Sequence, residues 1–342
     1  MYGSVGGTPG NRCFYLEKFL RIIRLKVSAL TINLKGENTL MSHNADSLKS
    51  IFFALGANFA IAVAKIIAAI VTGSGSMMAE SIHSLADCAN QLLLLLGIKQ
   101  AKKPPSPEYP LGYGKAVYFW SFLVALILFS MGGLYSIYEG FHKLHNPEPL
   151  SYALIAVCVL IFSIAAEAAS MWGCIREVNK ERGKKNYFTW FRETRSSELI
   201  VIFGEDLAAL TGLTLALFAV FLTIVTGNPL FDALGSIAIG VLLVIIAIFI
   251  GIEVKGLLIG QGVQPDIKEK MIDFLSNQSE ISRIFNLLTL QMGSDVMVAV
   301  KAEMTETDSA EVLIKDINRC EKAFKQEFPQ VLWLFFEPDL KD

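Results

Sequence analysis

Six apolar stretches of spanning length dominate this chain and set what it can fold into: Ser50–Gly73, Met77–Ile98, Val117–Glu139, Tyr152–Trp172, Leu199–Thr226 and Phe231–Ile252. A transmembrane helix needs about 20 predominantly apolar residues. The expected fold is therefore an α-helical membrane protein with a six-transmembrane-helix bundle. Hydrophobic residues make up 53% of the chain and mean hydropathy is +0.48, in keeping with membrane embedding. The net charge of −2 says little, because the distribution of charge carries more information than its sum.

That distribution predicts an orientation. Lys99, Lys102, Lys103 and Lys115 lie between the second and third stretches, and Arg176, Lys180, Arg182, Lys184, Lys185, Arg192 and Arg195 between the fourth and fifth. The opposite connections, Gly73–Ser76, Phe141–Leu150 and Gly227–Leu230, carry only Lys143. Basic loops stay in the cytoplasm, which puts both termini there as well. A cell (inner) membrane location is expected.

His83 and Asp87 interrupt the second stretch four residues apart. Spacing i, i+4 places both on one helix face about a turn apart. A nitrogen and an oxygen ligand so arranged suit a divalent metal, and ionisable groups inside a membrane segment are costly enough to point to function. The same pair also suits a purely structural role in holding helices together.

Glu205 and Asp206 sit inside the fifth stretch, in VIFGEDLAALTGL. Adjacent residues point roughly 100° apart on a helix, so the two cannot share one narrow face. One can aim inward while the other meets loop, water or a basic partner such as Arg192 or Arg195. A second ligand-bearing helix is what a site built on His83 and Asp87 requires, since zinc takes four ligands.

Other polar groups rank lower. Asn58 and Asn90 suit helix–helix hydrogen bonding; Asn90, seven residues past His83, also lies near its face. Glu167 can pair with Lys65. His142 and His145 close the third stretch, where they suit interfacial anchoring or contact with a departing cation. Gly132 and Gly133 permit close helix approach, including at a dimer seam. Cys13, Cys88, Cys158, Cys174 and Cys320 are scattered, which argues against a disulfide framework or thiolate site and for small apolar filling.

Both ends differ from the middle. Residues 1–48 form an N-terminal tail, expected to be disordered or an upstream extension, with Met41 a natural start; an amphipathic surface helix at Leu16–Leu30 is the alternative. Residues 49–260 hold the six apolar stretches and are expected to form the six-helix transmembrane domain. Residues 261–342 return to soluble composition, with helical periodicity at Asp266–Ser276 and Ser309–Phe328, strands at Ile281–Gln291, Val296–Glu303 and Val331–Glu337, and a turn at Gly293-Ser294-Asp295. The order α-β-β-α-β describes a small α+β domain, expected to serve cytoplasmic dimerisation. It shows no nucleic-acid motif.

The segments GSGSMMAESIHSLADCANQ, YPLGYGKAVYFWSFLVALILFSMGG, FDALGSIAIGVLL and VLWLFFEPD together resemble the cation diffusion facilitators, over about residues 49–339. Within that family the chain looks closest to the branch of bacterial exporters and a mitochondrial zinc transporter. The resemblance implies six-helix homodimers with a metallochaperone-like cytoplasmic domain that exchange zinc or related divalent cations for protons. His83 and Asp87 match the second-helix half of the family's transport site. The fifth-helix half departs from it: the family places His or Asp four residues before Asp, whereas Ile202 and Leu210 flank Asp206 at that spacing. Asp206 thus matches one position, with Glu205 as a substitute for the other. No histidine follows His145, so the family's C-terminal histidine sites are missing, leaving carboxylates such as Asp295, Asp308 and Glu337.

The expected activity is proton-coupled efflux of a divalent cation, foremost zinc, by alternating access at His83, Asp87, Asp206 and Glu205. Ligands must shed protons to bind metal, and His83, with an ordinary pKa of about 6.5, is the natural proton carrier. Metal is cargo; neither a cofactor nor catalysis is implied. Manganese, iron or cobalt suit the same ligands. An intramembrane metalloenzyme and a metal-sensing receptor are the alternatives of other classes, the first disfavoured by the lack of any HExxH-type motif.

Overall fold

The computed structural model describes residues 43–147, 152–307 and 309–341, with side chains from Gly56 onward except at Ala57. Residues 1–42, and with them most of the expected tail, lie outside the described residues. The first helix, α1 (His43–Thr72), begins inside the stretch read as tail. It is followed by α2 (Gly75–Ala101), α3 (Ala116–His145), α4 (Ala153–Arg182), a short α5 (Tyr187–Glu193), α6 (Ser197–Thr226) and α7 (Leu230–Ile259). Five of these, α2, α3, α4, α6 and α7, are long and apolar enough to cross a membrane; the described apolar part of α1 is Asn58–Thr72.

The helices outrun their apolar cores. α4 continues ten residues past Trp172 to Arg182, and α7 seven past Ile252 to Ile259. α5 was not foreseen. Asn186 starts it, its side-chain oxygen accepting from the Thr189 amide at 2.7 Å, and Trp190 buries itself against Cys174 and Val178.

α2 is the central helix, packing on α1, α3, α6 and α7, while α4 packs on α1 and α6. Lipid is as apolar as leucine, so helix association here rests on close van der Waals contact, which small residues allow. The α3–α7 seam depends on them. A Cβ at Gly240 would lie 2.7 Å from the Gly133 carbonyl oxygen, and one at Gly140 would lie 2.8 Å from that of Ala233. The close approach made by Gly133 is therefore with α7 of the same chain. Phe218, Phe221, Ile245 and Phe249 face outward.

The last part of the chain comprises α8 (Pro265–Ser276), β1 (Ile281–Met292), β2 (Asp295–Met304), α9 (Ala310–Glu327) and β3 (Val331–Pro338). Each element lies within a residue of its expected bounds. β1 and β2 form an antiparallel hairpin turning at Gly293, whose φ of 69° suits glycine. β3 joins β2 in parallel after the α9 crossover, giving the order β1-β2-β3. Val296, Val298, Val300 and Ala302 alternate onto the buried face, where they meet Met271, Leu275, Cys320 and Phe324. Glu280 and Arg319 pair at 2.7 Å on the rim, and this hydrogen bond holds the Glu280 carboxyl below the ordinary range.

This small domain docks on the ends of the helices. The Gly293 amide donates to the Tyr118 hydroxyl at 2.9 Å, and Arg195 Nε donates to the Gly262 carbonyl at 2.7 Å. Lys185 Nζ lies 3.0 Å from Glu193 and 3.2 Å from Asp266, and bonding to Glu193 first, then Asp266, lifts its pKa above the ordinary lysine value.

Phe324 is fully buried and contacts the rings of Phe274 and Phe328. Phe324→Ala should cost about 3–5 kcal/mol, the usual penalty for deleting a buried aromatic ring. Proteolysis of the detergent-solubilised protein in a urea series should show this domain cleaved at lower denaturant, with the helices still protected.

Candidate functional site

The polar groups of α2 fall on one stripe: Glu80, His83, Asp87 and Asn90 follow at intervals of three or four residues. Glu80, His83 and Asn90 are fully buried, and the Asp87 side chain is 18% exposed. His83 Nδ1 and Asp87 Oδ1 lie 3.6 Å apart. Both oxygens of Glu80, both ring nitrogens of His83, Asp87 Oδ1 and Asn90 Oδ1 are buried without a hydrogen-bond partner in the chain. Buried polar atoms are normally paired, so six orphans on one stripe demand a reason.

α6 faces this stripe. Glu205 Oε1 accepts from Asn90 Nδ2 at 2.5 Å, and the Glu205 carboxylate lies within the electrostatic reach of Asp87. Asp206 turns toward α4, where the Ser170 hydroxyl donates to its two oxygens at 3.2 and 3.4 Å. The two acids thus diverge, as their adjacency requires. Sequence reasoning set Asp206 ahead of Glu205; of the two, Glu205 is hydrogen-bonded to α2 and Asp206 to α4. Neither meets the expected arginines: Arg192 pairs with Glu253 at 3.0 Å, and Arg195 holds Gly262. Among the described residues, no three His, Cys, Asp or Glu side chains converge closely enough to hold an ion. His83 and Asp87 are together; Glu205 faces them but is held by Asn90; Asp206 is bonded to Ser170 of α4.

On the α1 side, Lys65 is fully buried. Its ammonium donates to Ser84 Oγ at 2.6 Å and lies 3.7 Å from Glu80 Oε2. The expected Lys65–Glu167 pair does not form among the described residues, although Glu167 contributes to the field at Asp87. Glu80 was missed in the sequence; the available signal was its place three residues before His83.

α3 adds a rarer feature. Residues Leu128–Leu134 wind as a π-helix, a local widening that recurs at functional sites. A Cβ at Gly132 would lie 3.7 Å from His83 Nδ1, so this segment borders the imidazole. His142 stacks on Tyr138, and His145 bonds to the Phe141 carbonyl at 2.8 Å. Cys88, Cys174 and Cys320 are buried and reduced, Cys158 is exposed, and Cys13 lies outside the described residues.

A second carboxylate escaped notice. Asp232, at the start of α7, accepts from Ser74 Oγ at 2.7 Å, from the Gly75 amide and Ser76 Oγ at 2.5 Å each, and from the Ser76 amide at 3.3 Å. It binds the N-terminus of α2, where free amides and the helix dipole favour a negative charge.

A membrane bundle whose central helix presents a histidine and carboxylates to a second acid-bearing helix describes a cation-handling membrane protein. Residues 51–259 match the cation efflux transmembrane domain, and the chain belongs to that family. It is 35% identical over 242 residues to the mitochondrial proton-coupled zinc antiporter SLC30A9 of Xenopus laevis, covering 70% of this chain and 43% of the relative. It is 30% identical over 244 residues to metal tolerance protein C4 of Arabidopsis thaliana, covering 70% and 53%. It is 25% identical over 246 residues to the cation-efflux pump FieF of Serratia proteamaculans, covering 71% of this chain and 76% of that one. The chain spans about four-tenths of the length of the SLC30A9 relatives it matches.

Replacing Asp232 by Ala would strand the Gly75 and Ser76 amides, while the Ser74 and Ser76 hydroxyls keep each other at 3.1 Å. At about 1–3 kcal/mol per buried unsatisfied group, a loss of at least about 2 kcal/mol is expected. It should appear as a lower unfolding temperature of the detergent-solubilised protein, read by a thermal-shift scan.

Proposed function

We propose that this protein moves divalent cations, foremost zinc, out of the cytoplasm in exchange for protons. The observation that carries the proposal is the stripe of orphaned buried donors and acceptors on α2, centred on His83 and Asp87 and facing Glu205. Zinc carried as cargo gives these atoms the partners that the chain does not. His83 and Asp87 supply two ligands, and Glu205 a third on leaving Asn90. Asp206, hydrogen-bonded to Ser170, serves as an outlying carboxylate near the path rather than as a ligand. Relatives named as a proton-coupled zinc antiporter and a cation-efflux pump support this reading.

Proton coupling follows from ligand chemistry. Imidazole and carboxylate bind metal only when unprotonated, so metal binding and protonation exclude each other at the same atoms. A carrier exposing this one site alternately to two compartments exchanges metal for protons without further machinery. In the proposed orientation the α+β domain and the basic loops around Lys99 and Lys184 face the cytoplasm. Two copies associate through that domain, whose Leu288, Leu332 and Phe335 are exposed.

Initial-rate zinc flux in proteoliposomes with an imposed pH gradient tests the site. His83→Ala, Asp87→Ala and Glu205→Ala should each lose most of the flux while keeping their elution volume in detergent. Asp206→Ala should retain more than Glu205→Ala. Full activity in Glu205→Ala with loss in Asp206→Ala would move the ligand by one residue, and full activity in both would remove α6 from the site.

Orientation has its own check. Single cysteines at Lys184 and Gln330, in an otherwise cysteine-free chain, should react with an impermeant maleimide only after sealed cells are opened. Labelling of Lys184 from outside would reverse the proposed direction.

A further inference from the structure

Glu80 has no part in the ligand set above, yet it is the most completely orphaned acid of the bundle. It is fully buried, and neither oxygen accepts a hydrogen bond. Its one ionic partner among the described residues is Lys65, at 3.7 Å. That is well beyond the roughly 2.7–2.9 Å of a charge-assisted hydrogen bond; the short bond from the ammonium goes instead to Ser84 at 2.6 Å. Lys65 therefore compensates the charge of Glu80 without occupying its lone pairs.

The surroundings preserve that arrangement. Glu80 lies three residues before His83 on the same stripe, about 4.5 Å further along the axis, toward the α2 end remote from the α+β domain. Across from it on α6 stands Gly212, seven residues past Glu205 and so on the same α6 face. A Cβ at Gly212 would lie 2.4 Å from Glu80 Oε1, so the carboxylate uses the room that this glycine leaves. The α2–α6 interface thus carries Asn90 opposite Glu205 at one level and Glu80 opposite Gly212 at another, with His83 and Asp87 between.

We propose that Glu80 is a second cation station, held by the tethered ammonium of Lys65 when no metal is there. A divalent cation leaving His83 and Asp87 toward the far side passes over Glu80 by displacing that ammonium, which keeps its bond to Ser84. Lysine suits this role because its charge rides on a flexible four-carbon stem with three rotatable donors. A planar, bidentate arginine would bind the carboxylate too firmly to yield. The bond changes are ionic only: the metal gains Glu80 oxygens as it loses His83 and Asp87. The proposal rests on the transport-site reading and extends it by one step.

The full-length protein in detergent, dialysed to equilibrium with zinc alone, tests it. Lys65→Met should bind one zinc ion per chain more than the wild type, because the competing cation is gone, and Lys65→Met/Glu80→Gln should lose that extra ion. In proteoliposomes Glu80→Gln should reduce kcat for zinc at least about tenfold with KM changed less than about twofold, the pattern of a step after binding. The double variant, a neutral pair of similar shape, should remain as slow. Wild-type turnover in the double variant would make Lys65–Glu80 a structural pair and overturn the proposal, even if a single variant fails to fold. Equal zinc binding by wild type and Lys65→Met would overturn the station alone, leaving the His83 site standing. No zinc bound by the wild-type bundle would overturn both.

Discussion

A charge inside a bilayer is costly unless something nearby answers it, and the arrangement of this bundle follows from that constraint. α2 carries three acids or bases and an amide along one stripe. Every helix that touches it brings something to that stripe: Lys65 from α1, the π-helical segment around Gly132 from α3, and Glu205 with the space at Gly212 from α6. α7 brings Asp232 to the end of α2, fixing the helix where its amides are free. The apolar residues face outward or pack helix on helix; they hold the stripe in place without specifying it.

How much of this could be read from the chain depends on what each feature requires. His83 and Asp87 were legible because polar residues inside a 20-residue apolar run stand out and their spacing defines a face. Strands β1 to β3 were legible to within a residue because Val296, Val298, Val300 and Ala302 alternate without a break. What could not be read was rotation about a helix axis. Glu205 and Asp206 are neighbours, and only the azimuth of α6 decides which one meets α2. Lys65 had two acids in reach; α1 packs on both α2 and α4, and the choice of Glu80 over Glu167 follows from that packing. α5 escaped because seven residues are too few for a periodic signal.

The orphaned atoms and the ion pair divide the stripe into unlike parts. At His83 and Asp87, a ring nitrogen and a carboxylate oxygen sit 3.6 Å apart with no cationic side chain of the described residues bonded to them. At Glu80 a lysine stands guard but does not bond. At Asn90 an amide holds the acid of the opposite helix. These are three ways of keeping polar groups in apolar surroundings: a close His–Asp pair, a loose ion pair and a short hydrogen bond.

The joint between the helices and the α+β domain is also tighter than its hydrogen bonds and ion pair suggest. Gly114, just before α3, lies so close to the β1–β2 turn that a Cβ there would be 2.0 Å from the Met292 carbonyl oxygen, and a Cβ at Gly293 would be 2.6 Å from that of Gly114. Backbone meets backbone, with no side chain to bend or slide between them. The β1–β2 turn and the start of α3 therefore meet as two backbones in direct contact. Any side chain placed at Gly114 or Gly293 would have to force these two backbones apart, so the space between helix and sheet is set by what both residues lack.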